Sequence, residues 1–366
     1  MSSGLGGFSL SQKSGFRIVE ASGSHYDMGF KLGKRCKDLA KSMIEDVRIR
    51  VKATGLTWDR AVSNARKHLS FAENFDPDYV EWIRGYAEGS VFKFEDLFVY
   101  FCQGADKGLC TDIAVNNDVT SDGSVLSAHT EDWYPLDEKH VVLIRGKPKG
   151  EPAFLAVTLG GLQIDCGLNS AGISVTQNLL VQSDVRIGVP KEFVARRILA
   201  SKTIGDAMCA ALPEGRGSSY NNNLCDSSGE IYSLEGSATD FCALYAHEGY
   251  LVHTNHYLSP KMAKYEATFQ KTSGNSPGAG VDSIIRYNRA LRLLKRELGK
   301  VTVASLIGIH SDHVNYPNSI CRHIDKSVPP LEQCKTIFSI IIDVTHLKAS
   351  ICHGNPCAGK YKEYKL

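Results

Sequence analysis

The chain has 366 residues, 43% of them hydrophobic and 22% charged, which is enough for a large core in one domain or two and argues against global disorder. With 42 basic and 40 acidic residues the formal net charge is +2, so electrostatics gives no reason to expect a nucleic acid or an anionic membrane as partner. No apolar run approaches the roughly 20 residues of a bilayer-spanning helix, the opening Met-Ser-Ser-Gly-Leu-Gly-Gly lacks the basic and apolar parts of a signal peptide, and 11 cysteines without paired spacing predict reduced thiols in a cytoplasmic setting.

Up to Cys110 the predicted elements are helical. Tyr26 to Val47 carries Met28, Phe30, Leu32, Leu39 and Met43 at helical spacing, and Trp58 to Phe71 and Pro77 to Ala87 read the same way, with Asp76-Pro77 as a helix start. From Cys110 short strands dominate. Thr111 to Val119 and Ser124 to Asp132 flank the turn signal Ser121-Asp122-Gly123, so they read as a hairpin with the cysteine at its open end. Strands are predicted at His140–Ile144, Ala153–Leu159, Leu162–Gly167 and Gly172–Thr176, then a helix over Pro190–Ala211 interrupted near Thr203. Strands return at Asn221–Asp226, Glu230–Glu235, Cys242–His247 and Tyr250–Thr254. Thr272 to Gly280 is the candidate flexible loop. Val281 to Leu298 is the clearest helix, with Ile284, Tyr287, Leu291, Leu294 and Leu298 in one apolar stripe and Arg and Lys opposite. A helix over Val301–His310 and a hairpin of Thr336–Val344 with Lys348–His353 close the chain. The terminal Glu-Tyr-Lys-Leu shares Lys-Leu with the Ser-Lys-Leu peroxisomal address, but Tyr364 is not small, so a frayed polar tail is the expectation and the peroxisome the second choice. The order of elements predicts an α+β body with helices outside sheets.

Three polar stretches stand out. A thiolate attacks carbonyls but needs a base, and no histidine is adjacent to Cys110; cutting the chain before it would free an α-amino group of pKa roughly 7.7–8.0 to take the thiol proton. A small buried structural cysteine is the competing reading. "AHTEDWY" puts His129 and Asp132 at a strand end. "LVHTNHY" is read as a strand with His253, Asn255 and Tyr257 on one face, where an asparagine either ties loops together or donates to an oxyanion. A loop after a helix holds Asn315, Asn318, Ser319 and Arg322.

In these pieces the chain resembles the acyl-coenzyme A:6-aminopenicillanic acid acyltransferase family, the isopenicillin-N acyltransferase-like N-terminal-nucleophile (Ntn) hydrolases. The resemblance is carried by Cys-Thr at Cys110, "EDWY" at 131–134, "GLNSAGISVTQN" at 167–178, "GVPKEFVARRIL" at 188–199, "LVHTNH" at 251–256, "NYPNSICR" at 315–322 and "FSIIIDVTHLKASICHGNPC" at 338–357, in the family's order, with "HYDMGFKLG" at 25–33 before them. It implies a four-layer αββα sandwich, the Ntn hydrolase fold, with a helical N-terminal segment. It also implies self-cleavage between Leu109 and Cys110 into a small subunit of residues 1–109 and a large catalytic one of 110–366 that stay associated as one integrated domain. The implied activity is that of a cysteine amidohydrolase or N-acyltransferase working through a thioester on a small N-acyl amide, such as a penicillin-like amide or the β-alanyl amines split by insect members, with acyl-coenzyme A as an alternative acyl donor. Cys110 matches the nucleophile, Asp132 the carboxylate that orients its new α-ammonium and its thiol, and Asn255 the oxyanion donor. By broader analogy Arg322 stands near the nucleophile, Asn178 is a second amide in the pocket, and His129 is a substrate-side residue where relatives vary. No cofactor is implied, and an oligomer is compatible with it.

Two departures matter. The family usually has Gly directly before the nucleophile, whereas here Gly108 is displaced by Leu109, and Asp112 stands where relatives often carry a hydroxyl. An uncleaved, catalytically silent binding protein is therefore the alternative function. A zinc protein is a further one: His253/His256 and His310/His313 are i, i+3 pairs, with Cys352 and Cys357 close in sequence. In a strand i and i+3 face opposite sides and Cys352-x4-Cys357 is a loose spacing, so no metal is expected.

Overall fold

The computed structural model describes residues 17–102, 108–267 and 279–366. The elements run β1 (Arg17–Gly23), α1 (His25–Arg35), α2 (Lys37–Ala53), α3 (Trp58–Phe75), α4 (Pro77–Ser90), α5 (Phe94–Phe98), β2 (Leu109–Val115), β3 (Leu126–Trp133), β4 (Val141–Pro148), β5 (Phe154–Leu159), β6 (Gln163–Asn169), β7 (Ile173–Leu179), α6 (Val194–Leu199), α7 (Ile204–Ala211), β8 (Tyr220–Asp226), β9 (Ile231–Gly236), β10 (Phe241–Tyr245), β11 (Tyr250–His253), α8 (Ala279–Leu294), α9 (Val303–His310), β12 (Lys335–Asp343), β13 (Lys348–His353) and β14 (Lys362–Lys365).

The strands form two sheets. One has eight strands in the order β1-β4-β5-β6-β7-β8-β9-β10, and the other has six in the order β11-β2-β3-β12-β13-β14. Every pairing is antiparallel except β1 with β4. Three apolar layers follow from the two-residue period of the strands. In β4, Val142 and Ile144 face α1–α7, while Val141 and Leu143 face the other sheet. In β12, Ile340 and Ile342 point between the sheets, while Ile341 joins Ile113, Ala128, Leu294 and Leu306 under α8 and α9. Strands apolar on both faces are what a doubly covered sheet requires. The architecture is an αββα sandwich, as the resemblance implies.

The long helical stretch predicted over Tyr26–Val47 is two helices broken at Cys36. Helix α1 lies on α4 through reciprocal glycines. A Cβ on Gly29 or Gly33 would stand 2.0 or 2.2 Å from the Trp82 or Tyr86 carbonyl oxygen, and one on Gly85 or Gly89 would stand 2.1 Å from that of Tyr26 or Phe30. The break near Thr203 is real: Thr203 caps α7 by accepting from the Asp206 N–H. Two strands have no counterpart in the sequence reading. β1 pairs in parallel with a strand more than a hundred residues later, and the supposed frayed tail is β14, paired with β13 from Lys348↔Lys365 to Ile351↔Lys362. The candidate loop Thr272–Gly280 lies, up to residue 278, outside the described residues. Among the described residues no helix is long and apolar enough to cross a membrane.

Candidate active site

The register of β2 against β3 decides which side chains meet. Cys110 pairs with Glu131, Asp112 with His129, and Leu109 with Asp132. Ala114 of β2 packs between the sheets whereas Ile113 and Val115 pack under α8 and α9. Cys110, Asp112, His129 and Glu131 therefore share the inter-sheet face, and Leu109, Thr111, Thr130 and Asp132 the helix face. All three polar atoms of Cys110 are held. Its N–H donates to Asn255 Oδ1 at 2.8 Å, its carbonyl accepts from Arg286 Nη1 at 2.5 Å, and its thiol donates to Glu131 Oε2 at 3.2 Å. The residue is 3% exposed. Burial, then the Glu131, Asp112 and Asp165 carboxylates, push the thiol well above the usual range, against the Leu179 N–H that faces the sulfur. At neutral pH the sulfur is therefore a thiol.

Behind the thiol lies a buried chain of charge. His129 Nε2 meets Glu131 Oε2 at 3.0 Å and His129 Nδ1 meets Asp112 Oδ1 at 2.7 Å. Asn223 donates to Asp112 at 2.5 Å and to Asn178 Oδ1 at 3.1 Å, and Asn221 donates to the same Asn178 oxygen at 3.0 Å. Asp165 Oδ2 stands 3.8 Å from His129. Burial lowers the affinity of His129 for its proton, but Asp112 and Glu131 at its two nitrogens outweigh that and raise it well above its usual range. Burial raises Glu131, against the pull of His129. Asp165 is raised well above the carboxylate range by burial and then by Glu131. Three carboxyl groups thus surround the His129 imidazole.

The helix face carries the cations. Arg286 of α8, fully buried, bridges the Cys110 carbonyl, Thr111 Oγ1 at 3.0 Å and Asn255 Oδ1 at 2.7 Å. Burial, with Arg322 nearby, brings its guanidinium down to about 10, still charged at neutrality. Arg322 Nε lies 3.4 Å from Asp132 Oδ2 and its Nη2 3.3 Å from Asp282 Oδ2, and Nη1 donates to Asn318. Asp132 Oδ1 accepts from Thr336 Oγ1 at 2.6 Å. Burial raises this carboxyl, with Arg322 and Arg286 opposing.

A cleft of about 390 Å³ lies beside the C-terminal end of β7. Phe101 and Cys102 form one side, Leu179 to Gln182 with Val185 and Ile187 another, and Lys191 and Glu192 its polar end. Val181, Val185 and Ile187 are exposed apolar side chains on this rim. Leu179 belongs both to this wall and to the surroundings of the sulfur.

The structure thus gathers Cys110, Asn255, Asn178 and His129 around one strand end, and sets Asp132 and Arg322 across the sheet from the thiol. The thiol's carboxylate is Glu131; Asp132 pairs in register with Leu109, beside the Leu109–Cys110 peptide. Asn255 lies just past the end of β11, not within a strand as expected, and its amide donates to the Leu179 carbonyl at 3.0 Å. Asn178 Nδ2 is buried without a hydrogen-bond partner among the described residues. His129 is fully buried inside the charge chain. Sequence reasoning missed Glu131, Asp165 and Arg286. It placed the arginines of α8 on the outer face, yet Arg286 is buried and Ile284 is 42% exposed. The residue before Cys110 is Leu109, and Gly108 is required for another reason: a Cβ there would lie 1.9 Å from the Trp133 ring.

The pattern of the acyl-coenzyme A:6-aminopenicillanic acid acyl-transferase family matches residues 119–358. The 40 kDa form of the acyl-coenzyme A:6-aminopenicillanic-acid-acyltransferase of Emericella nidulans is 26% identical over 290 residues, 76% of each chain. Among solved structures, a mutant conjugated bile acid hydrolase from Clostridium perfringens aligns with a TM-score of 0.46 at 12% identity, over 70% of this chain and 97% of that one. Penicillin V acylase from Agrobacterium tumefaciens aligns with a TM-score of 0.45 at 14% identity, over 67% of this chain and 83% of that one.

Proposed function

Given that this chain belongs to the acyl-coenzyme A:6-aminopenicillanic acid acyl-transferase family, we propose that it is a self-cleaving N-terminal-cysteine amidohydrolase or acyltransferase acting on a small N-acyl amide. One observation carries the reading: the N–H, carbonyl and thiol of Cys110 are each held by a separate buried side chain.

In maturation, Cys110 Sγ attacks the Leu109 carbonyl carbon. The C–S bond forms, the Leu109–Cys110 C–N bond breaks, and the thiol proton passes by way of Glu131 to the departing nitrogen. Water then hydrolyses the thioester, leaving a Leu109 carboxylate and a Cys110 with free α-amine and thiol. The new amine stands where Asn255 Oδ1 already accepts the peptide N–H, so its position is fixed before it exists.

In turnover, the α-amine takes the thiol proton, sulfur attacks the substrate carbonyl, and the proton is handed to the leaving amine. The thioester is resolved by water or by a second amine. Asn255 and the Leu179 N–H are the donors offered to the developing oxyanion, and Asp132 is the carboxylate beside the amine. The apolar rim of Val181, Val185 and Ile187 suits an apolar acyl group.

Intact-mass and N-terminal analysis of the purified chain tests this. Two fragments that co-purify, the larger beginning Cys-Thr-Asp, are expected, and Cys110→Ala should remain a single uncut chain with no amidase activity. An uncut, folded parent chain after long incubation would instead support the silent binding protein.

A further inference from the structure

On either side of Arg322 and beyond it, four side chains that the proposed reaction does not use converge on one point. His313 follows α9, Cys321 and His323 sit in the segment leading to β12, and Cys357 follows β13. The two imidazole Nε2 atoms are 3.1 Å apart, and Cys321 Sγ and Cys357 Sγ each lie 3.6 Å from His323 Nε2. All four donor atoms fall within 4.8 Å of one another. Zinc with bonds of about 2.0–2.1 Å to nitrogen and about 2.3 Å to sulfur sets tetrahedral edges of about 3.3 Å (N to N), 3.6 Å (N to S) and 3.8 Å (S to S). Three of the separations lie within a few tenths of an ångström of those edges.

We infer that His313, Cys321, His323 and Cys357 form a structural zinc site. The donor set is two thiols and two imidazoles, the combination that selects zinc over the hard oxygen-seeking cations. Four protein ligands fill a tetrahedron and leave no open position, as in structural rather than catalytic sites. On binding, Zn²⁺ displaces the two thiol protons, giving a neutral Zn(S)₂(N)₂ centre and two protons released to solvent. An outer partner is in place: Asn355 Nδ2 donates to Cys321 Sγ at 3.5 Å and to the Arg322 carbonyl at 2.7 Å.

Sequence spacing pointed elsewhere. It paired His313 with His310 and Cys357 with Cys352. The structure sends His310 inward to Ser339 Oγ at 2.8 Å and turns Cys352 toward backbone carbonyls. The ligands that replace them, Cys321 and His323, flank Arg322. Their side chains go to the metal point while Arg322 goes to Asp132. The site therefore ties the segment bearing Arg322 to the end of α9 and to the turn after β13.

The test is metal content of the full-length chain, which reads independently of cleavage and amidase activity. After equilibration with zinc and dialysis, one zinc per chain is expected. Cobalt put in its place should give the intense visible bands of tetrahedral Co²⁺ together with thiolate-to-cobalt charge transfer. Cys357→Ser and His313→Gln should lose the stoichiometric metal, while Cys209→Ser, at an exposed cysteine elsewhere, should keep it. Chelation should lower the melting temperature of the parent and leave that of Cys357→Ser unmoved. Parent protein that retains no zinc, cobalt spectra without charge transfer, variants that hold as much metal as the parent, or a Cys321–Cys357 disulfide in the freshly purified zinc-supplied chain would each overturn the assignment.

Discussion

The thiol of Cys110 donates to Glu131, and the next residue along the same strand, Asp132, faces the opposite side of the sheet. Two adjacent acids thus serve two separate environments. If Glu131 relays the proton in self-cleavage, Glu131→Gln keeps a side chain that accepts from sulfur and loses the basicity. Cleavage should slow by about 10²–10⁴-fold, the usual reach of a general base. A mass-spectrometric time course on freshly folded protein measures this, and an unchanged rate would assign Glu131 to charge balance around His129 alone.

Asn255 accepts from both Cys110 N–H and Arg286 and donates to the Leu179 carbonyl. Asn255→Ala removes the amide proposed to donate to the oxyanion, and loss of one such donor costs about 10²–10³-fold in kcat. We expect a fall in kcat far larger than any rise in KM, measured on protein already cut. A lowered melting temperature with kcat intact would make Asn255 a strut between Arg286 and β7.

Asp165 and His129 set a pH dependence. Each has its native pKa raised, so the folded state holds protons that the unfolded chain would release. For His129 the stabilisation is complete below about pH 6.5 and is lost as pH rises through the native value. Asp165 acts in the same sense, from the ordinary carboxylate range upward. Stability should therefore decline toward alkaline pH. Asp165→Asn, neutral at every pH, should flatten the melting-temperature profile from the ordinary carboxylate range upward. A profile as steep as the parent's would place the titration elsewhere.

The α1–α4 contact leaves no room for a methyl group. Gly85→Ala puts a Cβ against the Tyr26 carbonyl at 2.1 Å, where backbone must move. Overpacking of this kind costs about 1–3 kcal/mol. Chemical denaturation should show that loss, whereas Gly55→Ala, where a Cβ meets nothing within 4 Å but φ is +81°, should show the smaller cost of left-handed strain alone.

Cys110, its strand start and the hairpin behind it were legible because turn residues and alternation fix them locally. Glu131 was not, since a hairpin's facing is set by register, and a one-residue difference exchanges its two faces. Arg286 escaped because an amphipathic stripe ranks charge as outward, and only the Cys110 carbonyl and Asn255 explain a buried guanidinium there. β1 escaped because its partner, β4, is remote in sequence. Of the converging histidines and cysteines only Cys321 and His323 are close in sequence, and the loop path brings His313 and Cys357 to them.

The placement of residues 17–98 has a consequence for what maturation could release. They supply an edge strand of the larger sheet and five helices whose apolar faces complete the core over β4–β9. A cut at Leu109–Cys110 would sever connectivity and leave burial untouched, so the upstream piece would be a permanent structural partner and not a discarded leader. The covalent link would then matter chiefly during folding, by keeping the local concentration of the two pieces high while the layers assemble. Once they were packed, the same bond would be dispensable, and its breaking would turn a held peptide nitrogen into a base.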